Sequence, residues 1–291
     1  MLRYSIATKT ILHLLINIFR MDWLQIGLLT GLGLLVGFIG TMIGAGGGFI
    51  LVPILLFIYP ALKPEIITSI SLGVVFLNAS SGTIAYARMK RVDYKSAFIF
   101  ALATLPGAIM GTFLTSFIRR DIFDLILGIM LLIISIFLLI QPKYRATIKK
   151  SGGRHLTQRT LTDSKGEHYS FSFNLWTGII LSFFVGYISS FLGIGGGIIH
   201  VPALTILLNF PIHIATATSH FILAIMALAG TIVHIYQGNL KGELTTILSI
   251  GTGVIIGAQF GAHFSQQVKP HWIVRSLAIA LFLVGIRLIF S

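Results

Sequence analysis

Two short runs of glycine interrupt apolar segments that are otherwise long enough to cross a membrane. The first run, residues 44–48, reads GAGGG and is followed by Pro53; the second, residues 193–197, reads GIGGG and is followed by Pro202. Glycine is a poor helix former, so each run is predicted to break its helix inside the bilayer. Backbone groups released from helical hydrogen bonds cannot face lipid, so both breaks must be buried in protein or line an aqueous cavity.

The composition places the chain among polytopic membrane proteins. Of its 291 residues, 55% are hydrophobic and only 10% are charged, with a mean hydropathy of +0.94. The chain has no cysteine, which excludes disulfides and thiolate metal sites. All eight acidic residues lie at the ends of apolar runs or in loops, so the sequence offers no carboxylate in mid-membrane.

The net charge of +13 is distributed as expected for membrane topology rather than for nucleic-acid binding. Seven of the 21 Lys and Arg residues lie between Lys143 and Lys165, and most others flank apolar runs. This is the positive-inside pattern. The lipid bilayer, and not nucleic acid, is therefore the expected partner of the basic segments.

The apolar segments define four regions. Residues 1–21 are predicted to form a short apolar helix that lies at the membrane surface or enters it, and residues 141–172 are predicted to form a basic cytoplasmic linker without a core of its own. Residues 22–140 and 173–291 form two membrane repeats, each with a glycine-broken helix or half-helix pair and three further spans. The expected segments are 23–43, 49–59, 65–87, 94–117 and 122–140 in the first repeat, and 173–192, 198–208, 213–236, 240–264 and 272–289 in the second.

The two repeats match at a nearly constant offset and are predicted to be inverted. The glycine runs, the prolines after them and two later glycine motifs recur about 150 residues further along the chain. The basic segments 88–95 and 141–172 are two crossings apart, so both are predicted to be cytoplasmic. If each broken pair returns to its own side, the first repeat begins outside and the second inside, which is an architecture of secondary transporters.

The glycine breaks are the strongest candidate binding site. Amides at the start of a half-helix lack intrahelical partners and carry the positive end of the helix dipole, so they suit a small anion. The alternative is that these glycines only permit close helix packing. The candidate anion-binding residues are Gly46, Gly47, Gly48, Phe49, Gly195, Gly196, Gly197 and Ile198.

Polar side chains in the helix after each break form a second candidate set. Hydroxyl and amide groups could replace hydration water around an anion, although serine and threonine in membrane helices often bond only to a carbonyl one turn earlier. The candidates are Thr68, Ser71 and Asn78 in the first repeat and Thr218 and Ser219 in the second. His200 and His220 have apolar counterparts in the first repeat and are candidates for proton coupling or substrate contact.

No enzymatic, metal or nucleotide motif accompanies these residues. The sequence lacks a mid-membrane catalytic triad, an HExxH motif and the Lys-Ser/Thr of a phosphate-binding loop. We therefore expect neither catalysis nor a cofactor, and no ATP-driven pumping.

The glycine-proline motif in both repeats, the Thr-Ser segment of the next helix and the stretch from Gly82 to Asp93 resemble the sulfite exporter TauE/SafE family, also called TSUP transporters. The resemblance covers residues 22–140 and 173–290. It implies a prokaryotic cytoplasmic-membrane carrier of sulfite, thiosulfate, sulfonates or related anions, with two inverted repeats around a central site. By position it adds Ser71 and Ser219 to the glycines of both motifs.

The expected function is secondary transport of a small anion by alternating access around a midplane site. Family members that import thiosulfate are associated with functional cysteines, which this chain lacks, so sulfite or an organosulfonate is favoured. An anion channel and a non-transport membrane assembly protein remain alternatives. The sequence does not determine the oligomeric state.

Overall fold

A computed structural model describes residues 23–140, 156–265 and 271–290 of the chain. The expected helix at residues 1–21 and the first part of the linker, residues 141–155, lie outside the described residues. The helices are α1 (Trp23–Ile43), α2 (Gly48–Ile58), α3 (Pro64–Arg88), α4 (Tyr94–Thr115), α5 (Arg120–Ile140), α6 (Leu175–Leu192), α7 (Gly197–Ile206), α8 (Ile212–Gln237), α9 (Leu244–Phe264) and α10 (His271–Ile289).

Seven of these helices are long and apolar enough to cross a membrane: α1, α3, α4, α5, α6, α8 and α9. Large hydrophobic side chains remain exposed on their outer faces, as on α5, where Ile129 and Ile133 point away from the protein. Lipid rather than water is the solvent for such a surface. The prediction of an all-helical polytopic membrane protein is confirmed.

Both predicted helix breaks are present. Helix α1 ends at Ile43 and α2 begins at Gly48, while α6 ends at Leu192 and α7 begins at Gly197. Gly47 has φ 82°, in the left-handed region that residues with a side chain rarely adopt. The chain can therefore reverse within four residues and start a second short helix beside the first.

The two halves interlock through glycine faces. Helix α1 packs along α9, and α4 packs along α6, so each pair joins one helix from each half. Glycines allow these helix backbones to approach closely. The contacting residues are Gly33 with Ile250, Gly37 with Val254, Gly107 with Phe183 and Gly111 with Tyr187. The inverted orientation of the two halves stays a prediction.

The second part of the expected linker is not an unstructured connection. Residues 156–174 form an antiparallel hairpin of β1 (Leu156–Thr162) and β2 (His168–Asn174), in which Leu156 pairs with Asn174 and Thr162 with His168. Phe171 and Phe173 are buried in a cluster with residues of the helices. Alternate β2 side chains pack against the membrane part of the protein, so this segment is a structured hairpin that shares the core of the helices. The division of the chain into two membrane repeats and a linker at residues 141–172 stays a prediction.

Candidate functional site

The two glycine breaks touch each other. A Cβ atom on Gly48 would lie 2.6 Å from the carbonyl group of Ile194, and one on Gly197 would overlap the carbonyl oxygen of Gly44. Residues 44–49 and 191–198 are all buried. The breaks are thus enclosed by protein and face each other, as the absence of backbone partners in lipid requires.

Each break also rests on the long helix of the opposite half. Gly44 lies against Thr216 of α8, and Gly193 lies against Thr68 of α3. Val75, near the middle of the 25-residue α3, contacts both breaks, at Gly46 and Gly195. A helix of this length spans roughly 37 Å. The paired breaks therefore lie about halfway along the helices that enclose them.

The half-helices begin with backbone amides that have no acceptor within the described part of the chain. These are the amides of Gly47, Gly48 and Phe49 at the start of α2 and of Gly195, Gly196, Gly197 and Ile198 at the start of α7. A buried N–H without a partner costs free energy, and native proteins leave few of them. Two sets of such donors in adjacent turns are suited to bind a ligand with several acceptor oxygen atoms.

Asn78 supports the first break. Its Nδ2 donates to the carbonyl oxygen of Gly46 at 2.8 Å, and its Oδ1 accepts from Thr41 Oγ1 at 2.9 Å. The Tyr86 hydroxyl donates in turn to the Thr41 carbonyl at 2.8 Å. Both functional ends of the predicted ligand Asn78 are thus occupied by protein groups, and the side chain fixes the turn.

Ser71 has the same role at the second break, since its Oγ donates to the carbonyl oxygen of Gly193 at 2.6 Å. Thr68 Oγ1 donates to the Glu65 carbonyl and lies 3.3 Å from His234 Nε2. Thr218 Oγ1 accepts from the amide of Asp93. Of the five predicted polar candidates, four therefore bond to protein groups, and their role as substrate ligands stays a prediction.

Ser219 and His220 differ, because each has a buried polar atom without a hydrogen-bond partner among the described residues. These atoms are Ser219 Oγ and His220 Nε2; His220 Nδ1 lies 3.3 Å from the Thr216 carbonyl. The His220 ring packs against Tyr86 and against Gly82, where a side chain would collide with it. His220 therefore retains one ring nitrogen that can receive or donate a hydrogen bond.

His200 lies in α7, one turn after the second break. Its amide donates to the carbonyl of Gly196, and its Nε2 lies 3.2 Å from Ser182 Oγ. The ring is almost fully buried beside Phe100. His200 Nε2 therefore has a partner within the protein, whereas His220 Nε2 has none among the described residues.

Four residues near the breaks were not among the sequence candidates: Thr41, Tyr86, Ser189 and Ser190. Ser189 and Ser190 end the helix before the second break, and their hydroxyls have no partner among the described residues. Thr41 is in the same position before the first break. A hydroxyl residue three positions before each glycine run, Thr41 and Ser190, is the sequence signal that could have identified them. Within the described residues, no group of His, Cys, Asp or Glu side chains could hold a metal ion.

Comparison with known proteins gives a consistent result. The family model for sulfite exporter TauE/SafE matches residues 29–288. The chain is 33% identical over 270 residues to the probable membrane transporter protein YunE of Bacillus subtilis, covering 91% of this chain and 97% of that protein. It is 24% identical to the probable membrane transporter protein MJ0441 of Methanocaldococcus jannaschii, covering 90% and 95% of the two chains.

Similarity extends to the probable membrane transporter protein YfcA of Escherichia coli K12, at 24% identity over 91% of each chain. No solved structure matches the chain. The glycine-broken helices, the apolar exterior and a family match over nearly the whole length lead to one conclusion: the chain belongs to the sulfite exporter TauE/SafE family, a family of membrane transporters and not of enzymes.

Proposed function

We propose that this protein is a secondary transporter of small oxyanions in the prokaryotic cytoplasmic membrane, with sulfite or an organosulfonate as substrate. The observation that carries the proposal is the pair of adjoining half-helix starts whose amides have no acceptor among the described residues. Donors at a helix N-terminus favour a negative ligand, and two such ends together suit a group with several oxygens.

The surrounding groups support this assignment. In the described parts of the chain, Ser219 and His220 of α8 each have a polar atom without a partner, and no acidic residue lies at the level of the breaks to repel an anion. Asn78 and Ser71 hold the two turns in shape through the carbonyls of Gly46 and Gly193. A site with rigid turns and a few free donors binds without first reorganising its own backbone.

Burial of the breaks favours a carrier over a channel. Because Gly48 and Gly197 contact the opposite turn directly, an ion can reach the amides only after the helices packed over them move apart. A continuously open pore would leave these residues accessible. Alternating access, in which the site opens to one side at a time, fits the closed arrangement.

Counterflow in proteoliposomes tests the proposal. Vesicles preloaded with unlabelled sulfite should accumulate radiolabelled sulfite transiently, with a saturable rate, and should also exchange methanesulfonate or a related sulfonate. Chloride and acetate serve as controls for nonselective anion leak. Linear, non-saturating flux would indicate a channel, and the absence of exchange for every oxyanion in the panel would contradict the assignment.

A further inference from the structure

We propose that the β-hairpin is a latch that closes the candidate site at the end of the molecule where α3 ends and α8 begins, and that its tip must release during each transport cycle. The tip is defined as residues 162–168. The transport readout rests on the proposed function, whereas the latch itself can be tested without a substrate.

The base of the hairpin is fixed by apolar contacts. Phe171 and Phe173 pack on Phe210, which precedes α8, with ring centroids 4.4 and 5.0 Å apart, and Phe173 also packs against Phe100 of α4. Strand β2 leads directly into α6, whose first amides are capped by Asn174. The base therefore stays with the helices, because burial of several aromatic rings is costly to undo.

The tip is held by polar contacts instead. The carboxylate of Asp163 accepts from Arg91 Nη2 at 3.0 Å and Nε at 3.2 Å, and from the amides of Lys165 and Glu167. The amide of Ser164 donates to the carbonyl of Met89 at 3.0 Å. Asp163 and Ser164 thus both attach the tip to the connection between α3 and α4.

The ion pair is suited to repeated opening. Arg91 and Asp163 are only 5% and 4% exposed, and Arg91 Nη1 is buried without a partner among the described residues. Desolvation offsets much of the attraction in a buried pair. When the tip lifts, both charges and the unpaired N–H regain water, so separation costs less than the contacts suggest.

The latch is connected to the candidate site through Asp93. Its amide donates to Thr218 Oγ1 at 3.1 Å, and Thr218 immediately precedes Ser219 and His220. The carboxylate of Asp93 lies 3.6 Å from Arg159 Nε of strand β1. The α3–α4 connection is thus bonded to the hairpin tip through Met89 and Arg91 and to the start of α8 through Asp93. The engaged tip therefore restrains the connection that holds α3 and α8 together at this end.

Disulfide cross-linking tests the latch directly, because the chain has no cysteine of its own. Met89→Cys together with Ser164→Cys joins two positions linked by a backbone hydrogen bond. Oxidation of this double variant should reduce sulfite counterflow by roughly tenfold or more, as expected when a gating motion is blocked, and reduction should restore it. The cross-link is verified by mass spectrometry.

The matched control is Thr160→Cys with Ser170→Cys, two exposed residues paired across the hairpin. That disulfide closes the hairpin on itself and leaves the tip free, so transport should be unchanged. Equal transport by the oxidised and reduced forms of the Met89/Ser164 variant, at complete cross-linking, would overturn the proposal.

Hydrogen–deuterium exchange gives a second, substrate-independent readout. In the oxidised Met89/Ser164 variant, amides of residues 212–220 should exchange several-fold more slowly than in its reduced form. If the unmodified protein transports no oxyanion, the proposed function is wrong. The exchange measurement still tests whether the latch restrains the start of α8. Unchanged exchange would show that the tip does not control the start of α8.

Discussion

Single glycines decide how closely the two breaks approach. Gly48 and Gly197 meet backbone atoms of the opposite turn, whereas Gly27 and Gly31 on α1 have no neighbouring atom where a Cβ would lie. Glycine content alone therefore does not distinguish these positions. A run of glycines in an apolar segment can be recognised from the sequence alone. Which of these glycines touches the opposite turn depends on tertiary contacts, which the sequence does not reveal.

Gly197→Ala should separate the two breaks. The added methyl group would collide with the carbonyl oxygen of Gly44, and neither backbone can move without distorting its turn. Overpacking of this kind costs about 1–3 kcal/mol. We expect a lower Tm in detergent and loss of most sulfite counterflow. Gly31→Ala is the control and should leave both unchanged; a Gly197→Ala protein with normal Tm and transport would contradict the contact.

Asn78 distinguishes support of the turn from direct binding of substrate. Asn78→Leu keeps the branching and the number of side-chain heavy atoms but leaves the Gly46 carbonyl and the Thr41 hydroxyl without this partner. Loss of buried hydrogen bonds should destabilise the protein by about 1–3 kcal/mol. The Tm should therefore fall together with transport. An unchanged Tm with a raised KM would instead identify Asn78 as a substrate ligand.

At the scale of elements, helices were easier to predict than the hairpin. The length of the apolar segment predicted the observed bounds of α1, residues 23–43. The predicted start of α6 at residue 173 was wrong by two residues, because Phe173 belongs to β2 and the helix begins at Leu175. The alternating pattern of β2, with Phe171 and Phe173 on one face, and the Asp163–Gly166 turn were readable signals. The basic, polar composition of the surrounding segment favoured a linker instead of a hairpin.

The Asp163 carboxylate makes docking of the hairpin tip depend on pH. Burial alone raises the pKa of this carboxyl, but the donors from Arg91, Lys165 and Glu167 outweigh it, and the net pKa is lowered. Because the pKa of Asp163 is lowered in the docked state, the ionised carboxylate stabilises docking fully at pH values above its ordinary pKa. That stabilisation is lost as the pH falls through the lowered pKa. The tip should thus remain docked at neutral pH, and its docking should weaken only as the pH falls below the ordinary carboxyl pKa of about 4 towards the lowered pKa of Asp163.

Spin labels on Lys165→Cys and Lys90→Cys measure this docking. Both side chains are exposed, one on the tip and the other in the α3–α4 connection. Pulsed electron paramagnetic resonance should give one short distance between the two labels at pH 7 and longer distances after acidification. Adding Asp163→Asn should give the longer distances already at pH 7. A distance that is the same after acidification and in the Asp163→Asn variant would mean that the carboxylate does not hold the tip.

At the scale of the whole molecule, the inverted arrangement of the two halves stays a prediction, and it concerns the connections that follow the two half-helices. Arg120, at the start of α5, donates to the carbonyls of Leu56 and Leu62 around the end of α2. The hairpin instead contacts the α3–α4 connection and Phe210, which follows α7. The connections that follow the two half-helices therefore associate with different parts of the protein.

Labelling of single cysteines tests the orientation. Lys63→Cys follows α2 and Asn209→Cys follows α7, and both residues are exposed. The positive-inside pattern predicts that Lys63 faces outward and Asn209 faces the cytoplasm. A membrane-impermeant maleimide should label Lys63→Cys only in right-side-out vesicles and Asn209→Cys only in inverted ones. Labelling of both from the same side would exclude inverted repeats.

The mutual support of the two breaks also constrains how the protein is made. Gly44 rests on Thr216, so the turn after α1 is synthesised long before the helix that covers it. Until the ribosome has delivered α8, the uncovered peptide groups of that turn need water or an insertion factor as a temporary partner. Maturation is therefore completed late, and a nascent chain truncated before α8 would be left as a target for membrane quality-control proteases.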